Sequence, residues 1–391
     1  MMRQLGRIVL TTALAVGLCT TGLPQAQAAD QEIHVAKTGS DSNAGTAASP
    51  YLTINKAAQE VQPGGTVIVH EGLYREQVKP ARGGAGEASR ITYTAAAGEE
   101  VVIKGSEEIN DWVRLGGDVW YTTLPNSYFG SWNPYNQRQP QGGGGYAQIG
   151  NTGQYYNAGD VYLDETAYYQ KGSIATVEET ANSWYSTVLG DSTTIYANFN
   201  GADPNEKLAE INVRRQVIAP DENTGWGLGY ITVRGFTIKQ AAGTYSDFPD
   251  APARRQAGAI SVYGGLKWII EQNKIINART IAIDIGLSCD DWAGNRNNGV
   301  NAKTHFHDTD SYGSHIVRNN YIGKAGQSGV AGVFSWNSEI LYNMIEDTNY
   351  RGEFSGAETA PIKVHYMNEG LIKGNYIKAS KGGNSAGIWT D

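Results

Sequence analysis

A six-residue unit of the form aliphatic-x-x-Asn-x-Ile recurs in the second half of the chain and limits the possible folds more than any other feature. Four full copies, and a first degenerate copy in which Phe replaces Asn, are found at 270–275, 317–322, 340–345, 372–377 and 233–238. The Asn markers of the full copies are 47, 23 and 32 residues apart, so a constant strand alternates with loops of variable length.

This unit predicts coils that stack on one another. Its alternating apolar residues bury one face of a short strand, whereas Asn at a fixed corner tolerates the left-handed backbone conformation and hydrogen-bonds to its equivalents on neighbouring coils. We therefore predict an all-β protein, a right-handed parallel β-helix. An antiparallel β-sandwich with Asn in its turns is the alternative, but sandwich turns seldom repeat one pattern.

The amino terminus is typical of a secretory signal at residues 1–28. Arg3 and Arg7 precede an apolar run at 8–18, and a small-residue cleavage site lies at 26–28. The apolar run is too short to span a bilayer, so we predict a secreted protein, extracellular or periplasmic, with no membrane partner. The formal net charge of −8 and the low charged fraction of 18% argue against nucleic-acid binding and suit an extracellular all-β chain.

Three segments are predicted to follow the signal. Residues 29–108 form an amino-terminal cap with the first coils, including a helix at 53–61 that begins at Thr53 and covers the open end of the solenoid. Residues 109–215 lack the repeat and contain a Gly- and Tyr-rich stretch, so we predict an inserted β-sandwich-like domain. Residues 216–391 return to the coils, which carry the candidate active site.

Two carboxylates, Glu358 and Asp391, follow the markers Asn343 and Asn375 at nearly equal distances. Adjacent coils of a parallel β-helix are about 4.8 Å apart, and retaining glycosidases need two carboxyl groups about 5 to 5.5 Å apart. The spacing therefore predicts that both side chains emerge at matching places on successive coils as a catalytic pair. A structural ion pair, or two solvated acids, remains an alternative at this point.

Eight segments of the chain resemble the β-xylosidases of glycoside hydrolase family 120. They are IHVAKTGSD (33–41), LTINKAA (52–58), IVHEGLYRE (68–76), LPNSYFG (124–130), ANFNGADPNE (197–206), EINVRR (210–215), GSHIVRNN (313–320) and IKVH (362–365). The resemblance runs from about residue 32 to the end. It implies a parallel β-helix with an inserted β-sandwich domain and release of xylose from the non-reducing end of β-1,4-xylo-oligosaccharides, with retention of configuration.

The same resemblance assigns roles to the two carboxylates. The family's nucleophile is an aspartate after an aliphatic-Trp-x sequence, which matches Asp391, and a glutamate before the Ile-Lys-x-His segment, which matches Glu358, helps in the acid-base step. The family commonly has His where this chain has Ala357. Its usual general acid/base lies about one coil beyond the nucleophile, so we expect this chain to be incomplete at its carboxyl terminus.

Four further residues are candidates for substrate binding: His365, Trp389, Lys363 and His315. Trp389 could form an apolar wall for a sugar ring, and His365 could bond a sugar hydroxyl or Glu358, although each also suits a purely structural role. Lys363 and His315 are chosen because they lie in segments that match the family.

We predict no metal and no cofactor. His305, His307, Asp308 and Asp310 lie together in a polar loop, but they do not form a complete ligand set, and solvation explains them better. The predicted partner is a xylo-oligosaccharide or related glycan, and a homo-oligomer is possible. A β-helix polysaccharide lyase and a non-catalytic glycan-binding β-helix remain the alternative functions.

Overall fold

A computed structural model describes residues 31–141, 145–221, 224–245, 256–286, 312–355, 359–378, 380–381 and 386–391. Several predictions from the sequence concern residues outside these ranges. They are the signal peptide at 1–28, the role of Glu358 and the solvated loop with His305, His307, Asp308 and Asp310.

Within the described residues the chain forms 31 strands and two α-helices. The elements are β1 (Glu32–Val35), α1 (Ile54–Glu60), β2 (Thr66–Val69), β3 (Gly72–Tyr74), β4 (Ile91–Ala95), β5 (Val101–Lys104), β6 (Ser106–Glu108), β7 (Val113–Gly116), β8 (Val119–Pro125), β9 (Pro140–Gln141), β10 (Gly145–Tyr146), β11 (Val161–Leu163), β12 (Thr166–Ala167), β13 (Tyr169–Gln170), α2 (Ile174–Glu178), β14 (Ser183–Leu189), β15 (Ser192–Asn198), β16 (Ala209–Asn212), β17 (Ile231–Arg234), β18 (Thr237–Lys239), β19 (Gly258–Ser261), β20 (Ile269–Glu271), β21 (Lys274–Ile276), β22 (Ile281–Asp284), β23 (Ile316–Arg318), β24 (Tyr321–Gly323), β25 (Ser328–Val333), β26 (Glu339–Leu341), β27 (Met344–Glu346), β28 (Ile362–His365), β29 (Leu371–Lys373), β30 (Tyr376–Lys378) and β31 (Ile388–Thr390). Short 3₁₀ turns occur at Glu87–Ser89, Asn126–Phe129, Pro134–Asn136 and Pro204–Glu206.

Three parallel sheets form the solenoid, and the third begins only after the inserted unit. The first sheet has the order β1-β2-β4-β17-β20-β23-β26-β29, the second β3-β5-β18-β21-β24-β27-β30 and the third β19-β22-β25-β28-β31. Each strand pairs in parallel with its counterpart on the next coil, and the repeat positions align: Ile270, Val317, Ile340 and Ile372 form one row. The predicted all-β class and parallel coil are confirmed.

The Asn markers form the predicted ladder. The side-chain Nδ2 of Asn273 donates to Oδ1 of Asn320 at 3.2 Å, Asn320 donates to Asn343 at 3.0 Å, and Asn343 donates to Asn375 at 3.0 Å. The ladder ends at Phe236, whose backbone N–H donates to Oδ1 of Asn273 at 3.1 Å. These bonds satisfy buried corner groups that water cannot reach.

The sequence suggested that the Asn markers adopt the left-handed backbone conformation, but the structure does not place it there. It lies on the residue just before each marker: Gln272, Asn319, Tyr342 and Gly374 have φ values of 57°, 54°, 53° and 66°. The residue before the marker therefore makes the turn, and the carboxamide of the marker bonds to its equivalent on the next coil.

Helix α1 covers the amino-terminal end of the coils, as predicted. The Thr53 side chain accepts a hydrogen bond from the backbone N–H of Lys56, which starts the helix as expected for a Thr cap. Ile54, Ala57 and Ala58 are buried in the same apolar core as the first strands. The apolar face of α1 therefore shields the core that an open solenoid would expose.

The segment between the second and third complete coils departs from the solenoid and forms two sheets of its own. One has the order β12-β11-β16-β6 and the other β13-β14-β15-β8-β7, while β9 and β10 form a short ribbon. Trp184, Ile195 and Ile211 are central members of its separate apolar core. This arrangement is the inserted β-sandwich-like unit of the predicted fold class.

A buried charge network attaches the inserted unit to the coils. Arg351, in the turn between β27 and β28, donates two hydrogen bonds to Asp160 of the inserted unit, at 2.7 and 2.9 Å. Arg279, just before β22, pairs with Glu353 and donates to the backbone oxygen of Asn157 at 3.0 Å. Because these groups are almost fully buried, losing one partner would leave an uncompensated charge.

Within the described residues, neither α-helix is long or apolar enough to cross a bilayer.

Candidate active site

The third sheet brings the polar residues of the candidate site into one row. Asp284 of β22 aligns with Ala331 of β25, Ala331 with Lys363 of β28, and Lys363 with Trp389 of β31. Their neighbours in sequence, Ile283, Val330 and Ile362, belong to the solenoid core. Since side chains alternate along a strand, this row faces away from the core.

Asp391 follows β31 directly, and three side chains among the described residues lie against its carboxylate. The ammonium of Lys363 donates to Oδ2. The indole N–H of Trp389 donates to Oδ1 at 2.8 Å, and Nδ1 of His365 lies 3.6 Å from Oδ2. The carboxylate is therefore oriented through both oxygens, yet 42% of the side chain is exposed and open to a ligand.

The electrostatic environment keeps Asp391 ionised. Partial burial raises the pKa of its carboxyl group, but the hydrogen bonds from Lys363 and Trp389 and the positive charges of Lys363 and His365 outweigh burial, so the pKa lies below its ordinary value of 3.8. An exposed, ionised and oriented carboxylate has the properties of a nucleophile or of an electrostatic stabiliser, not of a proton donor.

Lys363 is buried, although its row faces away from the core; only 1% of its side chain is exposed. Its ammonium lies 4.5 Å from the centre of the Trp389 ring, in addition to its bond with Asp391. A buried ammonium is costly unless it is paired. Lys363 is therefore best explained as the group that holds the carboxylate, and Trp389 as the neighbour that fixes both.

One described residue of the preceding coil lies in register with Asp391. The strand register aligns Ile362 with Ile388 and Val364 with Thr390, so that residue is His365. Glu358 itself lies outside the described residues, and its catalytic role stays a prediction.

His315 does not join the site. It precedes β23 of the first sheet, whereas Asp391 follows the third, and its ring is 1% exposed. Its Nδ1 accepts a hydrogen bond from the backbone N–H of Trp268 at 3.1 Å, and burial lowers its pKa to about 3. A neutral, buried imidazole bonded to the next coil is a structural group, so its position does not fit the substrate-binding role predicted for it.

Two features beside the site gave no signal in the sequence. Tyr366, directly after His365, stacks on Phe334 of the preceding coil with ring centres 4.8 Å apart and planes 8° from parallel. Asp284, two coils before Lys363, is fully buried and accepts from Gln256 at 2.7 Å. Burial raises its pKa from 3.8 to about 7, although bonds from Gln256, Gly286 and Ser261 oppose this.

No group of three or more His, Cys, Asp or Glu side chains in the described part of the chain could hold a metal ion. The groups around Asp391 are the ammonium of Lys363, the imidazole of His365 and the indole of Trp389. Together they can hold the carboxylate in a fixed orientation toward a polar ligand.

Comparison with known proteins shows what this chain is similar to. A family model described as Glycoside hydrolase 120, insertion domain, matches residues 109–183 and 171–211. The solved structure of XylC in complex with xylose is 38% identical to the chain, with a TM-score of 0.79, and the match covers 88% of this chain and 58% of XylC. The chain thus spans less than two thirds of the length of XylC.

A curated protein, the uncharacterized protein YwoF of Bacillus subtilis (strain 168), is 33% identical over 78 residues, which are 20% of this chain and 16% of YwoF. The family model and the structure of XylC match longer parts of the chain than YwoF does. The resemblance to glycoside hydrolase family 120 is therefore confirmed: the family's insertion domain matches at 109–211, and the chain shares its fold with XylC.

Proposed function

We propose that the protein is a retaining glycoside hydrolase that releases xylose from the non-reducing end of β-1,4-xylo-oligosaccharides, with Asp391 as its nucleophile. The observation that carries this proposal is the state of Asp391: its carboxylate is ionised, partly exposed and held through both oxygens by Lys363 and Trp389. The nucleophile of a double displacement needs a low pKa, a fixed orientation of its carboxylate and exposure to the substrate.

The reaction then proceeds in two steps. An oxygen of Asp391 attacks C1 of the terminal xylose, the bond from C1 to the leaving oxygen breaks, and a carboxylic acid transfers its proton to that oxygen. Water next attacks C1 of the xylosyl ester, gives its proton to the same acid group, now a base, and frees Asp391. Glu358 is the candidate for the acid from the sequence, and Lys363 keeps the free carboxylate of Asp391 unprotonated before it attacks.

The sugar is inferred from the likeness to XylC, which was solved with xylose. Tyr366, which is exposed and stacks on the buried Phe334, adds an aromatic ring next to His365 of the kind that carbohydrate sites use. Secretion, inferred from residues 1–28, would place the enzyme where plant cell-wall glycans are found.

Hydrolysis of an aryl β-xyloside tests the proposal, because an aryl leaving group needs little help from an acid. Wild-type chain should release the phenol, proton NMR of the first-formed sugar should show the β-anomer, and Asp391→Ala should lose at least about 10³-fold in kcat/KM. Asp191→Ala, in the exposed turn between β14 and β15, is the matched control. An α-anomer as first product, or full activity of Asp391→Ala, would overturn the mechanism.

The remaining outcomes separate the other functions. An unsaturated product that absorbs in the ultraviolet would indicate a lyase, and retention on xylan without any product would indicate a glycan-binding solenoid. Either result would replace the hydrolase proposal.

A further inference from the structure

A cleft lies on the inserted unit, and Asp391 is not among the residues that line it. It has a volume of about 270 Å³ and is enclosed by the segment before β9, the turn at 149–155 and the strands β13 and β14. This volume is close to the lower end of the range for ligand pockets, roughly 300 to 1,000 Å³. The mechanism above does not use it.

The charges that line this cleft all have one sign. Arg138 and Lys171 are in its wall, and no Asp or Glu is. Neither cation forms an ion pair with a carboxylate in the part of the chain that the structure describes. Lys171 already helps to lower the pKa of the buried Glu353, but the cleft wall itself carries no carboxylate, so its two cations favour an anionic ligand.

The remaining wall suits a sugar. The guanidinium of Arg138 stacks on the Tyr155 ring at 4.7 Å from its centre, which holds the planar group in place while its N–H edge stays available. Tyr185 supplies another aromatic wall, whereas the carboxamides of Asn157 and Gln170 are bonded within the protein and brace the cleft. Aromatic faces combined with a positioned guanidinium are a usual means of binding a polar ring that carries a carboxylate.

The cleft is also fixed to the coils of the candidate site. The backbone oxygen of Asn157 accepts from Nε of Arg279 at 3.0 Å, and Arg279 pairs with Glu353 in the turn before β28. The amide of Asn157 donates to Ser186 at 3.1 Å, so the wall residue is held from both sides. A wall that is ordered before the ligand arrives loses little conformational entropy on binding.

We propose that this cleft binds an acidic saccharide, with Arg138 and Lys171 receiving the carboxylate of a uronic acid residue and the tyrosine rings contacting its pyranose. This site goes beyond the proposed hydrolase function and does not involve Asp391. An inserted unit with such a site would hold acidic glycans close to the solenoid.

Isothermal titration calorimetry on the full chain tests the proposal. The probes are xylotriose with one glucuronic acid branch, neutral xylotetraose and inorganic phosphate. We expect the acidic probe to bind at least about tenfold more tightly than either of the others, because a charge-assisted bond to each cation contributes to it alone. Its affinity should fall as salt is added.

Variants then assign the binding to the cleft. Arg138→Gln and Lys171→Gln should each weaken the acidic probe about tenfold, whereas Lys207→Gln, a control cation on the surface of the same unit, should not. Asp391→Asn should bind the probe as the wild type does, so loss of hydrolysis and loss of this site can be told apart.

Three results would overturn the proposal. They are equal affinity for the neutral and acidic oligosaccharides, phosphate binding as tight as that of the acidic saccharide, and unchanged affinity in the Arg138→Gln and Lys171→Gln variants. Weak binding of all three probes would also do so.

Discussion

The ammonium of Lys363 lies against the carboxylate of Asp391, although the two residues are 28 positions apart and on successive coils. The lysine is almost fully buried and the aspartate partly exposed. The two residues therefore have different roles: the buried ammonium of Lys363 is a fixed part of the scaffold, and the carboxylate of Asp391 is accessible to a ligand.

Replacing Lys363 with Met, which has a similar volume, should move the acidic limb of the kcat/KM profile to higher pH, because the loss of the ammonium raises the pKa of Asp391. The maximal rate on an aryl β-xyloside should fall about 10²-fold, as when one preorganised donor is removed. Lys373→Met, on an exposed part of β29, is the control. An unshifted acidic limb would show that Lys363 does not tune Asp391.

Replacing Arg351 with Met should destabilise the protein by about 3 to 5 kcal/mol, because Asp160 would remain buried without its partner. Chemical denaturation measures the free energy of unfolding. Adding Asp160→Asn to this variant should recover part of the loss. Lys207→Met, which breaks an exposed pair with Asp164, should cost less than about 1 kcal/mol. Equal effects of the buried and exposed changes would contradict the role of the network in docking.

Asn320→Ala should cost about 2 to 4 kcal/mol, since it removes the acceptor of the Asn273 backbone N–H and the side-chain donor to the oxygen of Ile270. The amide of Asn273 would keep only its bond to the oxygen of Val233. Its sequence neighbour Asn319 provides the comparison. Asn319 is exposed and has a φ of 54°, so Asn319→Gly should change stability by less than about 0.5 kcal/mol. The unfolding free energies of the two variants should therefore differ clearly.

Asp284 should make stability depend on pH. Its pKa is raised in the folded state, from 3.8 to about 7, so its contribution is complete below about pH 4 and is lost as the pH rises through about 7. Asp284→Asn should remove this dependence. The difference in unfolding free energy between wild type and variant should change by up to about 4 kcal/mol across that interval. A difference independent of pH would mean that Asp284 is not buried as a protonated acid.

Local patterns in the sequence predicted much of the fold. The alternation of apolar residues and the recurring Asn are sufficient to predict the strands and the Asn ladder, because each depends on a few adjacent residues and on their equivalents one coil away. Thr53 likewise marks the start of α1 through a contact with Lys56. The left-handed corner was placed one residue too late because Asn is only one of several residues that adopt it.

The parts that the sequence could not predict depend on loop length and on distant contacts. His365 lies in register with Asp391, although the loops before β28 and β31 differ in length, and the Asn markers do not reveal that difference. Arg351 meets Asp160 across 191 residues, and neither residue lies in a recognisable motif. The raised pKa of Asp284 arises only from burial, which depends on how the coils pack.

The nucleophile can be identified most directly by trapping it. With 2-deoxy-2-fluoro-β-xylosyl fluoride, the fluorine at C2 slows both steps and the good leaving group favours the first, so the xylosyl-enzyme accumulates. The account predicts one fluoroxylosyl group per chain, located by peptide mass spectrometry on Asp391 and absent from Asp391→Ala. A label on another carboxylate, or hydrolysis of the aryl xyloside without any covalent label, would contradict it.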